Sequence, residues 1–280
     1  MGSFVLRSLW QSLPLLLSLA GTINGEDYPT RVIAGVTVID TPIVRDAQAF
    51  ARAHSTDFVY KHVIRGWLFG ALLIQANETL RRSIDLEVHA VANILHDLGW
   101  DQTPGSPFIS TDRRFEVDGA IAARHFIREH RDGKKWTERR VQLVWDAIAL
   151  HGDPSFADYK EPDVQIVSKG IREEFHESNG VINKQQFNAI VREFPNDDFN
   201  TGGNQTAIWL CQTKPSTTWG TVNPHPPSNY PLAARPRALL IGSPPTETFL
   251  QGWGDRYVAN YSANVLHRID RVYIKPGLIE

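Results

Sequence analysis

The chain has a single cysteine, Cys211, so it can form no intrachain disulfide and no cysteine-based zinc module. Any metal site it carries must therefore be built from histidine and carboxylate. No run of ~18 apolar residues occurs, which excludes an ordinary membrane-spanning helix. Lysine and arginine form no long run, and 29 basic residues against 31 acidic ones leave a formal net charge of −2. Neither nucleic acid nor an anionic membrane surface is an expected partner for such a chain. Internal repeats are also absent. What is present is 280 residues, 42% of them hydrophobic, enough for one large domain or two small ones around a substantial core.

The stretch around which the rest is organised is 85–99, Asp-Leu-Glu-Val-His-Ala-Val-Ala-Asn-Ile-Leu-His-Asp-Leu-Gly. Leu86, Val88, Val91, Ile94 and Leu95 recur near the helical period and predict a mostly buried helix that ends with His96 and Asp97, followed by Leu98-Gly99 as a stop signal. It delivers His96 and Asp97 side by side at its C-terminal end. Burying an imidazole and a carboxylate is costly unless something pairs with them, and a metal ion is a suitable partner. Adjacent helical positions stand about 100° apart on the wheel, so one ion near the helix end could meet both.

Residues 1–25 read as a secretory signal: Arg7, a Leu-rich core over 13–20, then small residues at 20–22. Secretion is the expected location, with the cytoplasm as the alternative. Asn-x-Ser/Thr triplets at Asn77, Asn204 and Asn260 matter only on the secretory route. Residues 27–41 read as an extended lead-in. A first helix follows from Pro42, with Val44, Ala47, Phe50 and Ala51 on one face and Asp40 or Thr41 as cap. A second carries Val59, His62, Val63, Trp67, Leu68, Ala71 and Leu72. Further helices are predicted through Ala122–Phe126, over 137–151, over 164–175, over 183–195 and over 204–217. Residues 219–247 hold seven prolines and almost no periodicity, and read as a loop or disordered insertion. Helix-like spacing returns over 249–265.

His62 lies on an apolar helix face, where a lone histidine is ordinarily a core residue. It precedes His96 by 34 positions, room for a helix, a turn and a returning helix, so the two could meet. His89 shares the face of His96 but stands seven residues away, about 10.5 Å along the axis, too far to reach the same ion. Glu116 and Asp118 stand at a helix entrance, where carboxylates cap backbone N–H groups; alternatively Arg114 and Glu116 line a substrate pocket. His151 ends the 137–151 helix, either as an imidazolium at a helix C-terminus or as a group facing a metal from just outside its ligands. His125, His130 and the basic 134–140 region read as solvated surface.

The order His62, His96-Asp97, then a distal carboxylate resembles the HD-domain superfamily of metal-dependent hydrolases. Within it, the stretches Tyr60–Gly70 (Tyr-Lys-His-Val-Ile-Arg-Gly-Trp-Leu-Phe-Gly), Leu95–Gly99, Arg114–Gly119, Ala147–His151 and Leu210–Pro215 are similar to fungal HD proteins related to cyanamide hydratase. The resemblance covers about 33–218 and resumes at about 249–270, leaving 219–248 as a Pro-rich insertion. It implies an all-α HD-type helical bundle and a zinc-type ion held by two histidines and two aspartates. Iron(II) and manganese are the alternatives. His62, His96 and Asp97 match the first three ligands. At the fourth position Glu174 stands where the family has Asp, and one extra methylene moves the carboxylate by over ~1 Å; Glu173 or Asp163 are substitutes.

From this resemblance we expect an enzyme that adds ion-activated water to a small substrate, cyanamide or a nitrile-like compound. His151 or Glu116 would move the proton, and Arg114 and Lys61 would contact the substrate. A phosphate-ester hydrolase using Lys61, Arg65 and Arg114 is a second expectation. A non-catalytic helical protein with a degenerate site is a third. A homo-oligomer is compatible with any of them.

Overall fold

The computed structural model describes residues 28–175, 180–214 and 277–278. The expected signal segment, the Pro-rich insertion and the 249–270 segment lie outside the described residues. Described residues are mostly helical, as the sequence predicts. A short hairpin leads in: β1 (Thr30–Ile33) pairs antiparallel with β2 (Val36–Ile39) across Ala34 and Gly35, both at positive φ. Such a two-residue turn matches the twist of paired strands. Then come α1 (Pro42–Ala53), α2 (Asp57–Ala76), the short α3 (Glu78–Ser83) and α4 (Leu86–Leu95). A 3-10 turn, Leu98–Trp100, and a loop lead to α5 (Phe115–Glu129), α6 (Glu138–Leu150) and the one-turn α7 (Pro154–Ala157). The last are α8 (Pro162–Glu173), α9 (Lys184–Glu193) and α10 (Phe199–Thr213). No helix among the described residues is long and apolar enough to cross a membrane.

α4 is the axis of the molecule. Every residue from Glu87 to Leu95 is buried, because α1, α2, α6 and α8 surround it. A helix that is apolar all round belongs in such a place. Its N-terminus is fixed by Asp85, whose carboxylate accepts the Glu87 and Val88 N–H groups at 3.1 Å. Arg140 of α6 then clamps Asp85 (2.6 Å) and Glu87 (2.8 Å). One continuous apolar cluster runs from Val36 to Leu210 around this axis.

Two backbone approaches set the geometry at the inner ends of the helices. α2 and α8 cross where Gly170 meets Gly66 and Gly70: a Cβ at Gly170 would lie 2.8 Å from the Gly66 carbonyl and the Gly70 backbone. This closeness brings the end of α8 against the middle of α2. The second approach is at Gly99, which the sequence marked only as a helix stop. A Cβ there would fall 1.9 Å from the Phe115 carbonyl. Gly99→Ala is expected to push α5 off the 98–100 turn and to cost about 3 kcal/mol, because the obstructing atom is backbone. Urea unfolding should show a lower midpoint at unchanged m, and an unshifted midpoint would contradict the packing.

α10 begins at Phe199, five residues before the expected start, and carries Gly202 and Gly203 inside it. Glycines there look like breakers. A Cβ at Gly202, however, would stand 2.4 Å from the Phe58 ring, so the small residue is a packing requirement. Neither of the expected caps of α1 acts through its side chain: Thr41 is the N-cap but makes no side-chain bond, and Pro42 opens the first turn.

Candidate metal centre

α4 ends two residues before Asp97, where the pattern placed its end. Leu95 is its last residue, His96 is the C-cap, and Asp97 has left helical geometry (φ −101°, ψ 21°) before the 3-10 turn begins. His96 turns its Nδ1 back to the Asn93 carbonyl at 2.7 Å. A carbonyl can only accept, so Nδ1 carries the proton and Nε2 is left facing inward. α6 ends on the same device. His151 is its C-cap, and its Nδ1 donates to the Ile148 carbonyl at 2.7 Å. Both rings satisfy a terminal helix carbonyl with one nitrogen and present the other to a common space.

The third imidazole comes from α2. His62 Nδ1 lies 2.6 Å from Glu174 Oε2 at the end of α8, and its Nε2 points at His96 and Asp97. The three inner atoms form a nearly regular triangle. His62 Nε2 to His96 Nε2 is 3.2 Å, His96 Nε2 to Asp97 Oδ2 is 3.3 Å, and His62 Nε2 to Asp97 Oδ2 is 3.5 Å. Donor atoms about 2.0–2.1 Å from a tetrahedral ion stand about 3.3 Å apart. His62, His96 and Asp97 thus form a buried group that could hold a metal ion. His151 Nε2 stands just outside it, 3.7 Å from Asp97 Oδ1.

The electrostatics of this group call for positive charge. Asp97 is 2% exposed, and neither of its oxygens has a hydrogen-bond partner. Burial alone would raise its pKa, but His96, His62 and His151 together hold it at about 2. Asp97 acts on His96 in return: burial disfavours the charged ring, yet Asp97, the Asn93 carbonyl and Glu174 together outweigh burial and push its pKa up. His151 is neutral, its pKa lowered to about 4 first by burial and then by His96. A proton on His96 and a divalent cation would compete for one position, which is how histidine–carboxylate sites bind metal.

Apolar rings wall the group. Phe199 lies 4.8 Å and Phe175 6.2 Å from His62, and Phe115 lies 5.8 Å from His151, ring centre to ring centre.

Glu174, the expected fourth ligand, does not join the triangle. Its Oε2 takes the outer nitrogen of His62, and its Oε1 accepts from Arg65 through Nε (2.7 Å) and the second terminal nitrogen. Arg65 is fully buried and claims that oxygen, which is why the carboxylate faces away from the donor atoms. Glu173 and Asp163 do not substitute for it: neither belongs to the buried group, and Asp163 accepts the Asp85 N–H at the opposite end of α8.

The other expected site residues are distributed unevenly. Glu116 is buried at the start of α5, bound by Arg114 at 2.5 Å, and its Oε1 lies 3.7 Å from where a Cβ at Gly152 would stand. It is therefore beside the residue that follows His151. Arg114 faces Glu116 and is partly exposed. Lys61 is not brought to the group: its ammonium is held by Asp57 (2.7 Å) and Asp198 (2.9 Å). His89 is a core histidine with its pKa lowered by burial to about 3, pressed against Gly70.

Sequence reasoning missed Arg65 as a partner of Glu174. It also missed the likeness of His96 and His151, although each follows a leucine at the end of its helix. No protein-family model matches the chain, and no curated protein matches it, so the geometry of these side chains is the basis on which its function is read.

Proposed function

We propose that the chain is a metal-dependent hydratase or hydrolase of the HD type that adds water to a small uncharged substrate, with a nitrile-like compound such as cyanamide as the first candidate. The observation that carries this reading is Asp97. A buried carboxylate with no hydrogen-bond partner, facing three imidazole Nε2 atoms whose outer nitrogens are all engaged, is a poor structural element and a good cation ligand. His62, His96 and Asp97 would hold the ion, and the tetrahedral spacing of their donor atoms favours zinc over ions that demand octahedral oxygen ligands.

A divalent ion held there would supply Lewis acidity and bring the pKa of water down toward about 7. The side chains do the rest. His151 Nε2, neutral and beside Asp97, takes a proton from the attacking water and returns it to the nitrogen end of the substrate as the carbon–oxygen bond forms. The Ile148 carbonyl holds its Nδ1–H and so fixes which nitrogen works. The walls formed by Phe175, Phe199 and Phe115 exclude bulk water and suit a small, weakly polar molecule.

The phosphate-ester reading is weaker because its cations are already engaged. Arg65 is bound to Glu174, Arg114 to Glu116, and Lys61 to Asp57 and Asp198. Purified full-length protein should contain about one equivalent of a transition metal by elemental analysis and form urea from cyanamide. Inorganic phosphate released from nucleotides or an aryl phosphate, with no urea formed, would replace this reading by the phosphohydrolase. Protein that stays metal-free after supplementation would support the non-catalytic one.

A further inference from the structure

We propose that Glu174 and Arg65 are a positioning pair for the metal centre: Glu174 holds His62 in the one tautomer that can bind the ion, and Arg65 keeps that carboxylate away from the ion. The proposal rests on the metal-site reading above and assigns Glu174 a role different from that of a ligand.

The geometry is specific. His62 has two nitrogens, and in a neutral ring only the unprotonated one can bind a metal. Glu174 Oε2 sits 2.6 Å from Nδ1, an acceptor that selects the Nδ1–H tautomer and turns the Nε2 lone pair toward His96 and Asp97. His96 achieves the same end with the Asn93 carbonyl, a neutral acceptor. Only His62 has a full negative charge behind it, and such a partner makes an imidazole a stronger donor.

That charge needs restraint. A carboxylate beside a cation would ordinarily swing in and bind it. Arg65 prevents this by holding Oε1 with two N–H groups while its third nitrogen donates to the carbonyls of Phe194 (3.1 Å) and Pro195 (2.8 Å). The guanidinium is thus anchored to the exit of α9 and cannot follow the carboxylate. The close α2–α8 crossing at Gly170 fixes the distance between the two helices that carry the pair. The ion would accordingly be held by three protein ligands, which leaves a position open for water.

Glu174→Gln tests this directly. Glutamine can still accept from Nδ1 but brings no charge. Metal affinity is measured by competition with a chelator, and coordination by the visible absorption of the cobalt(II)-loaded protein. The proposal expects a 10–100-fold weaker affinity with unchanged cobalt band positions. Bands that shift or collapse in this variant, while wild type shows them, would make Glu174 a ligand and overturn the proposal. An affinity equal to that of wild type would overturn it as well. Nitrogen-15 chemical shifts of His62 in the metal-free protein give a second readout that a purely structural role would not move: Nδ1–H in wild type, and a mixture of tautomers in Glu174→Ala. A wild-type chain that binds neither zinc nor cobalt would remove the metal site itself, an outcome distinct from a failure confined to Glu174→Gln.

Discussion

Zinc added to the full-length chain is expected to raise its melting temperature by about 8–16 °C, and to leave that of His62→Ala unmoved. A ligand that binds only the folded state contributes about 4 kcal/mol when present at about a thousand times its dissociation constant. For a folded unit of about 150–250 residues each kcal/mol shifts the midpoint by about 2–4 °C. His62 is the decisive position because it is the only donor of the triangle that comes from outside the 96–97 pair. Without it an ion would keep His96 and Asp97 alone, and affinity should fall by more than the ~100-fold that loss of an outer partner produces. The metal-free variant should still unfold cooperatively, since Glu174 keeps its bond to Arg65 and Asp97 keeps His96 and His151 beside it. Asp97→Asn should behave in the same way. A zinc-induced shift in His62→Ala as large as in wild type would place the ion elsewhere in the molecule.

Much of this arrangement was legible in the sequence, because the period of the apolar residues is a local property. α1 begins at the expected Pro42, and α6, α8 and α9 fall within two residues of the expected bounds. The meeting of His62 with His96 followed from their separation and from the apolar face that both share. The expected end of α4 at Asp97 lies two residues beyond Leu95, because that end is decided by a side chain: His96 Nδ1 donates to the Asn93 carbonyl and Asp97 turns out of the helix. Gly99 was read as the stop, whereas it serves an approach of Phe115 sixteen positions later, which no local pattern reveals. The same limit applies to Gly202 and its contact with Phe58.

The candidate site divides along the same line. The inner triangle was legible because its members are chemically unusual on apolar helices. The outer partners were not. Glu174 could be read as a ligand from its residue type and place, but its actual orientation depends on Arg65, three residues after His62 on the same face of α2. Competition between an ion and a guanidinium for one carboxylate is a tertiary matter. Lys61 is a contrasting case: its pairing with Asp57 four residues earlier is an ordinary helical ion pair, and that spacing was available from the sequence.

Arg65→Met is expected to cost about 3–5 kcal/mol in stability, one of the largest effects of any single side-chain change in the molecule. Arg65 is fully buried and joins three helices: it grows from α2, binds Glu174 at the end of α8, and donates to Phe194 and Pro195 at the exit of α9. Methionine fills similar volume but leaves the Glu174 carboxylate with His62 alone and two carbonyls short of a donor, and stranded buried acceptors carry their full desolvation cost. The charge on Glu174 should dominate, because burial disfavours it and Arg65 is the first of the groups that hold its pKa down. Pairing Arg65→Met with Glu174→Gln removes the stranded charge, so the double variant should be more stable than the sum of the two single losses by about 1–3 kcal/mol. Urea unfolding of the four proteins in a double-mutant cycle reads this coupling. Additive losses, or a cost below about 1 kcal/mol for Arg65→Met, would mean that the guanidinium and the carboxylate do not depend on one another, and the orientation of Glu174 would then need another cause.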